Sequence, residues 1–249
     1  MPYAGLIRPQ DKPDRLILGR ALGRRLLQAH GDRVLAIALV GRDTAEAAPF
    51  APMRLAAVMV DGPVAGRQRV VDGTVVHLGM APKDHFLATA GTVDLDWTVR
   101  GPLFHAPLVL FEAASHLIDI AKAEAEREAH TLGPALADAF AGPVAAAVAD
   151  LAPWLDDPDP ATAVPVLAPF AWTVARTVAL ANGHVFADPA AWASETRELP
   201  RRPAEWDPFL DAWTGRAEGI GEAATALVEA LPGFAASLGA PLDDRMPEF

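Results

Sequence analysis

Cysteine is absent from this chain of 249 residues, which excludes disulfide bonds, thiolate metal sites and a cysteine nucleophile. Long apolar runs are also absent: none approaches the roughly 20 residues that span a bilayer, and the N-terminal segment has no signal-peptide core. The sequence motifs of P-loops, dinucleotide-binding folds, zinc proteases and serine hydrolases do not occur. We therefore expect a cytoplasmic protein with no membrane partner.

Charge is distributed unevenly along the chain. Residues 1–130 hold 15 Lys and Arg against 15 Asp and Glu, whereas residues 131–249 hold 6 against 17, which accounts for the whole net charge of −11. An acidic half repels nucleic-acid phosphates, so nucleic acid is not an expected partner. Attraction for a cationic ligand and a merely solvated acidic surface are both compatible with this charge.

Composition predicts a folded protein, because 51% of the residues are hydrophobic and only 21% are charged. Before about residue 130 the pattern mixes helices and strands. After Gly133-Pro134 the strand signals fade, and Ala-rich segments broken by Pro and Gly indicate a helical bundle. We therefore predict an α+β protein with a mixed-sheet domain over residues 1–130 and a helical domain over residues 131–249.

The first half contains several clear local signals. Asp14 is a suitable N-cap for a helix that ends near His30. Its apolar face is predicted to consist of Leu16, Ile17, Ala21, Leu22, Leu26 and Leu27. Asp72-Gly73 lies between two β-rich arms and predicts a hairpin. The remaining predicted elements are strands at Val34–Val40, Leu55–Val60 and Pro107–Phe111 and helices at Pro82–Ala90 and Ala114–His130.

The segment from Val34 to Asp61 reads as strand, loop and strand, with the loop opening at Gly41 and carrying Pro49 and Pro52. Its order of residues resembles the kanamycin (aminoglycoside) nucleotidyltransferases of the polymerase-β-like superfamily. The matching positions are Gly41-Arg42, Pro49-Phe50 and Pro52-Met53-Arg54. The resemblance continues more loosely through His77, Asp96-Trp97, Ala114–His130, Asn182-Gly183-His184 and the C-terminal Arg245, Pro247 and Phe249.

The resemblance implies a nucleotidyltransferase-like sheet domain followed by a helical bundle, and a homodimer. It also implies a carboxylate pair at Pro52 and Arg54, a third carboxylate at His77, and a catalytic Glu and Lys at Ala149 and Pro153. None of these residues has the required chemistry, since Mg²⁺ in such a site is held by carboxylates. We therefore expect a degenerate enzyme with no catalytic residues, no metal ligands and no cofactor.

Four residues remain as candidates for binding a small ligand: Gly41, Arg42, Arg54 and His77. A guanidinium at Arg42 or Arg54 could bind a phosphate or carboxylate directly. The alternatives are an arginine that reaches solvent or pairs with an acid, a glycine that only forms a turn, and a histidine satisfied within the sheet.

Two other functions remain open on the sequence alone. Asp43 or Glu46 in the loop could replace the lost ligands, which would leave an active aminoglycoside-type enzyme using Mg²⁺ and ATP. An antitoxin-like or structural partner protein is the third hypothesis. Two further pairs of polar residues are interpreted as structural. Asp94 and Asp96 are assigned to a loop or cap, and Glu112 and His116, four residues apart, to one face of a helix.

Overall fold

The computed structural model describes residues 14–40, 52–105, 107–113, 117–128, 132–159, 161–186 and 191–240. The chain forms two compact units. The first unit comprises residues 1–92 and 101–127, and the second comprises residues 93–100 and 128–249. Residues 93–100 thus belong to the helical unit, whereas the boundary predicted at residue 130 placed them in the sheet domain.

A five-stranded mixed sheet is the centre of the first unit. Its strands are β1 (Val34–Val40), β2 (Met53–Met59), β3 (Ala65–Val71), β4 (Thr74–Pro82) and β5 (Leu108–Glu112), in the order β3-β4-β2-β1-β5. All neighbouring strands are antiparallel except β2 and β4, which are parallel. The predicted α+β class with a mixed sheet is confirmed.

The hairpin between β3 and β4 forms as predicted. Its two turn residues, Asp72 and Gly73, have φ angles of 48° and 73°. Positive φ at both central positions is what a two-residue turn requires to follow the twist of its strands, and Asp-Gly adopts it at low cost.

The first helix, α1 (Arg15–His30), begins at the predicted N-cap. Asp14 Oδ1 accepts hydrogen bonds from the backbone N–H groups of Leu16 and Ile17, at 2.8 and 3.4 Å. The predicted apolar face is wrong for Ile17, whose exposed fraction is 63%. The helix instead turns Leu18, Gly19 and Gly23 inward.

Two glycines let α1 lie close to β1. A Cβ at Gly19 would be 3.0 Å from Leu39 Cδ1, and one at Gly23 would be 3.7 Å from Ile37 Cδ1. These contacts join α1 to the apolar cluster on one face of the sheet, which includes Leu39, Met53, Leu55 and Val76. The opposite face packs on three helices: α2 (Lys83–Ala90), α4 (Pro102–His105) and α5 (Leu117–Glu128).

The second unit is a helical bundle, as predicted. Its helices are α3 (Trp97–Arg100), α6 (Leu132–Ala139), α7 (Ala145–Asp156), α8 (Ala163–Ala181), α9 (Trp192–Arg197), α10 (Trp206–Trp213) and α11 (Ile220–Ser237). A π-helical segment, Phe140–Val144, joins α6 to α7. The largest apolar cluster of the described residues surrounds α8.

The expectation that no segment is long and apolar enough to cross a membrane is wrong for two stretches. Leu132–Asp156 and Ala163–Ala181 both pass that test by length and composition alone. In Ala163–Ala181, 61% of the most apolar window is buried inside the protein. That burial is the one expected of a core helix in a bundle, whereas 39% of the corresponding window of Leu132–Asp156 is buried.

We predict different outcomes for alanine at the two glycines of α1. Gly23→Ala should raise the free energy of unfolding by about 1 kcal/mol, because alanine favours a helix and the new methyl group meets Ile37 at ordinary contact distance. Gly19→Ala should gain less or lose stability, since Leu39 is fully buried and has little room to move. Urea unfolding followed by circular dichroism measures both; equal gains would contradict the close approach of Gly19 to Leu39.

Candidate functional site

The structure places Arg54 and His77 side by side. Arg54 is the second residue of β2 and His77 lies in β4, and the two are direct partners in the parallel register. Residues paired in this way project from the same face of a sheet. The resemblance assigned both to a lost metal centre, and the strand register brings these two positions together.

A third polar residue continues the row. Gln68 of the edge strand β3 pairs with His77, so Arg54, His77 and Gln68 cross three neighbouring strands on one face. Arg54 and His77 are half-buried and Gln68 is exposed. We call these three residues the polar row. It presents a cation, an imidazole and an amide, which suit an anionic or neutral ligand better than Mg²⁺.

The sheet beside the polar row is almost bare of side chains. Ala56 pairs with Gly79, and Gly79 pairs with Gly66. Both glycines are exposed, and a Cβ added to either would meet nothing within 4 Å. A ligand held by the polar row could therefore approach the backbone of β3 and β4 closely.

Two of the four predicted ligand-binding residues, Gly41 and Arg42, lie outside the described residues. So do Asp43 and Glu46, the possible replacement ligands. Within the part of the chain that the structure describes, no group of three or more His, Asp or Glu residues is arranged to hold a metal ion. Ala149 and Pro153, where the resemblance implies a base and a lysine, are exposed on α7.

The Asp94–Asp96 pair has a structural role in the second unit. Asp94 Oδ1 accepts from the backbone N–H of Trp97 at 3.0 Å, and Asp94 Oδ2 accepts from Arg100 Nη1 at 3.1 Å. Asp96 Oδ1 accepts from Arg176 Nη1 at 2.5 Å. Both carboxylates are therefore engaged by arginines, in agreement with the loop or capping role predicted from sequence.

The interpretation of Glu112 and His116 as neighbours on one helix face is wrong for Glu112. Glu112 is the last residue of β5, and its Oε1 accepts from the backbone N–H of Ile118 at 2.9 Å. It therefore caps the start of α5, where a carboxylate also favours the helix dipole. His116 lies outside the described residues.

Sequence reasoning missed the pairing of His184 with Glu195. His184 Nε2 lies 2.7 Å from Glu195 Oε2, and both side chains are largely shielded from solvent. The His184 ring also makes an edge contact with Phe186, with 5.7 Å between centroids. The two residues are 11 positions apart, which matches no helical or strand spacing that could have indicated the pair.

Comparisons with known proteins give only distant structural likeness. No protein-family model matches the chain, and no curated protein matches it significantly. Among solved structures, it is similar to a nucleotidyltransferase-like protein from Exiguobacterium sibiricum, at 13% sequence identity and a TM-score of 0.49. The match covers 88% of this chain and 74% of that one. A likeness this distant assigns neither an activity nor a ligand to this chain.

We predict that Asp94→Ala lowers the stability of the second unit by about 1 kcal/mol, because it removes the acceptor that fixes the turn before α3. Asp94→Asn should lose less, since its amide oxygen can still accept from the Trp97 N–H. Asp138→Ala, at an exposed aspartate of α6, is the control and should stay within about 0.5 kcal/mol of the wild type. Thermal unfolding of the three variants tests this; an unchanged Asp94→Ala would contradict the structural role.

Proposed function

We propose that this protein is a non-catalytic relative of the nucleotidyltransferases that binds an anionic group directly at the polar row. The observation that carries the proposal is the pairing of Arg54 with His77 on adjacent parallel strands. The resemblance implies carboxylates at both positions, and the chain has a guanidinium and an imidazole instead. The local charge is therefore reversed where a metal would have to bind.

The chemistry of nucleotidyl transfer explains why this reversal removes activity. Attack on the α-phosphorus of a nucleoside triphosphate builds negative charge on the phosphate oxygens, and Mg²⁺ ordinarily stabilises that charge. A guanidinium supplies fixed positive charge and directed N–H donors, so it can hold a phosphate in the ground state. It has no coordination site for the attacking oxygen, so it cannot generate a nucleophile by coordination as a metal ion can.

The open sheet beside the polar row supports an anion of moderate size. Gly66 and Gly79 leave room above the backbone, and the His77 and Gln68 side chains can donate hydrogen bonds to further oxygens. A triphosphate or a nucleotide has both the charge and the length to cross three strands, which lie about 4.8 Å apart. We take the phosphate chain of a nucleotide as the ligand to test first.

We predict no Mg²⁺-dependent nucleotidyl transfer. Labelled ATP incubated with the protein, Mg²⁺ and a panel of aminoglycosides should yield no more adduct than a reaction without protein, because Pro52, Arg54 and His77 replace the carboxylates that the reaction needs. Transfer above that background that a chelator abolishes would instead establish an active enzyme, whose metal ligands would come from Asp43 or Glu46 in the loop.

We further predict metal-free anion binding that depends on Arg54. Calorimetry with ATP in the presence of a chelator should show weak binding, and Arg54→Ala should weaken it by about 1–3 kcal/mol through loss of a charged hydrogen bond. Arg67→Ala is the matched control, because Arg67 pairs with Leu78 and lies on the opposite face of the sheet. Binding that is absent in the wild type, or equal in the wild type and Arg54→Ala, would exclude the polar row as the site.

A further inference from the structure

The second unit contains a cavity of about 770 Å³ at one end of its helical bundle. The start of α6, the end of α8, the end of α11 and the segment after α9 surround it, through residues that include Gly133, Ala181, Ser237 and Arg201. Cavities of this size are typical of small-molecule sites. The polar row lies in the first unit and contributes nothing to it.

One wall of the cavity is apolar. Leu136 of α6 and Phe234 of α11 line it and are 5% and 6% exposed, and Leu132 and Leu238 complete the wall as half-buried side chains. A ligand that covered this wall would remove further apolar surface from water, at roughly 25 cal/mol for each Å². The ligand therefore needs an apolar body.

Arg201 is unlike the other arginines of this unit. The structure describes five arginines beyond residue 131, in a half of the chain where acids outnumber basic residues by 17 to 6. Four of them pair with aspartates: Arg176 with Asp96, Arg197 and Arg216 with Asp211, and Arg202 with Asp207. Arg201 pairs with no carboxylate among the described residues, and it lines the cavity.

The backbone at Arg201 is held firmly in place. The Asn182 side chain accepts from the Arg201 N–H at 3.0 Å and donates to the Arg201 carbonyl at 2.6 Å. Asn182 Nδ2 also donates to the Val178 carbonyl at 2.7 Å, which anchors the arrangement to α8. Within the part of the chain that the structure describes, the guanidinium itself makes only a long hydrogen bond, 3.4 Å from Nη1 to the Ala181 carbonyl. Its other N–H groups have no hydrogen-bond partner among the described residues, and the residue lines the cavity.

We propose that this cavity binds a small organic monocarboxylate, with the carboxylate on Arg201 and an apolar body against Leu136 and Phe234. Arg202 also lines the cavity, but its charge is already balanced by Asp207 at 2.9 Å, so Arg201 is left to neutralise one negative charge. A dianion such as a phosphate monoester would keep an uncompensated charge in a strongly acidic unit, so the surroundings favour a monoanion. The paired arrangement of N–H groups on a guanidinium matches the two oxygens of a carboxylate.

The test uses hexanoate and 4-phenylbutyrate as probes, with hexanamide as the neutral counterpart, and measures the dissociation constant by calorimetry on the full chain. The wild type should bind both carboxylates and should bind hexanamide at least about tenfold more weakly. Arg201→Met should weaken carboxylate binding by about tenfold or more. Arg216→Met, at a mostly exposed arginine of the same unit, should leave the affinity unchanged.

A second variant probes the cavity rather than the charge. Gly133 lines the cavity, and a Cβ added there would meet nothing within 4 Å, so Gly133→Leu should fold normally and occupy part of the space. It should reduce carboxylate binding at least as much as Arg201→Met while leaving the thermal midpoint equal or higher.

Three results would overturn the proposal: no saturable binding of either carboxylate to the wild type, unchanged affinity in Arg201→Met, or unchanged affinity in folded Gly133→Leu. If Arg201 only stabilised the end of α8, its replacement would lower the thermal midpoint and the wild type would bind neither probe. Arg54→Ala should not alter carboxylate binding, so failure here and failure of the polar row give different results.

Discussion

The first unit depends on the parallel pairing of β2 with β4. The chain leaves β2, forms β3 at the edge of the sheet, and returns through a two-residue turn so that β4 lies between them. The remaining pairs are antiparallel: β3 pairs with β4 on one side, and β1 pairs with β2 and β5 on the other. Because side chains alternate along a strand, a shift of one residue in this pairing would move Arg54 or His77 to the opposite face. The polar row therefore exists only in this register.

Ion pairing with arginine is the corresponding constraint in the second unit. Residues 131–249 carry a large excess of acids, and the few arginines there link separate segments of the chain. Arg176 joins α8 to the segment before α3, and Arg197 joins α9 to α10. These pairs are partly exposed, so each contributes modestly to stability on its own. They also link segments that are distant in the chain, 80 residues apart for Arg176 and Asp96 and 14 for Arg197 and Asp211. Arg201, which forms no such ion pair among the described residues, is therefore a candidate for binding a ligand.

Local signals in the sequence predicted most helices and strands of the first unit. They did not predict contacts between residues that are far apart in the chain. Asp14 fixed the start of α1 and Asp72-Gly73 fixed the hairpin, because a cap and a tight turn depend on neighbouring residues only. The exposure of Ile17 was missed because Gly19 and Gly23, which carry no hydrophobic signal, set the face that packs on β1. The adjacency of Arg54 and His77, the pairing of His184 with Glu195 and the isolation of Arg201 all depend on tertiary contacts, for which spacing along the chain gives no indication.

The two proposed sites hold their arginines differently, and this difference sets how tightly each can bind. Arg54 lies within β2 between two hydrogen-bonded strands and is half-buried, so its side chain has already lost part of its freedom. Arg201 is exposed, and beyond its backbone bonds its side chain makes only a long hydrogen bond to Ala181 among the described residues, so binding must still order a long side chain, at a cost of about 0.5–1.5 kcal/mol. The cavity can offset that cost because Leu136 and Phe234 offer apolar contact, which the open sheet beside the polar row lacks. Affinity at Arg201 should therefore rise with the apolar size of the ligand, whereas affinity at Arg54 should follow its charge.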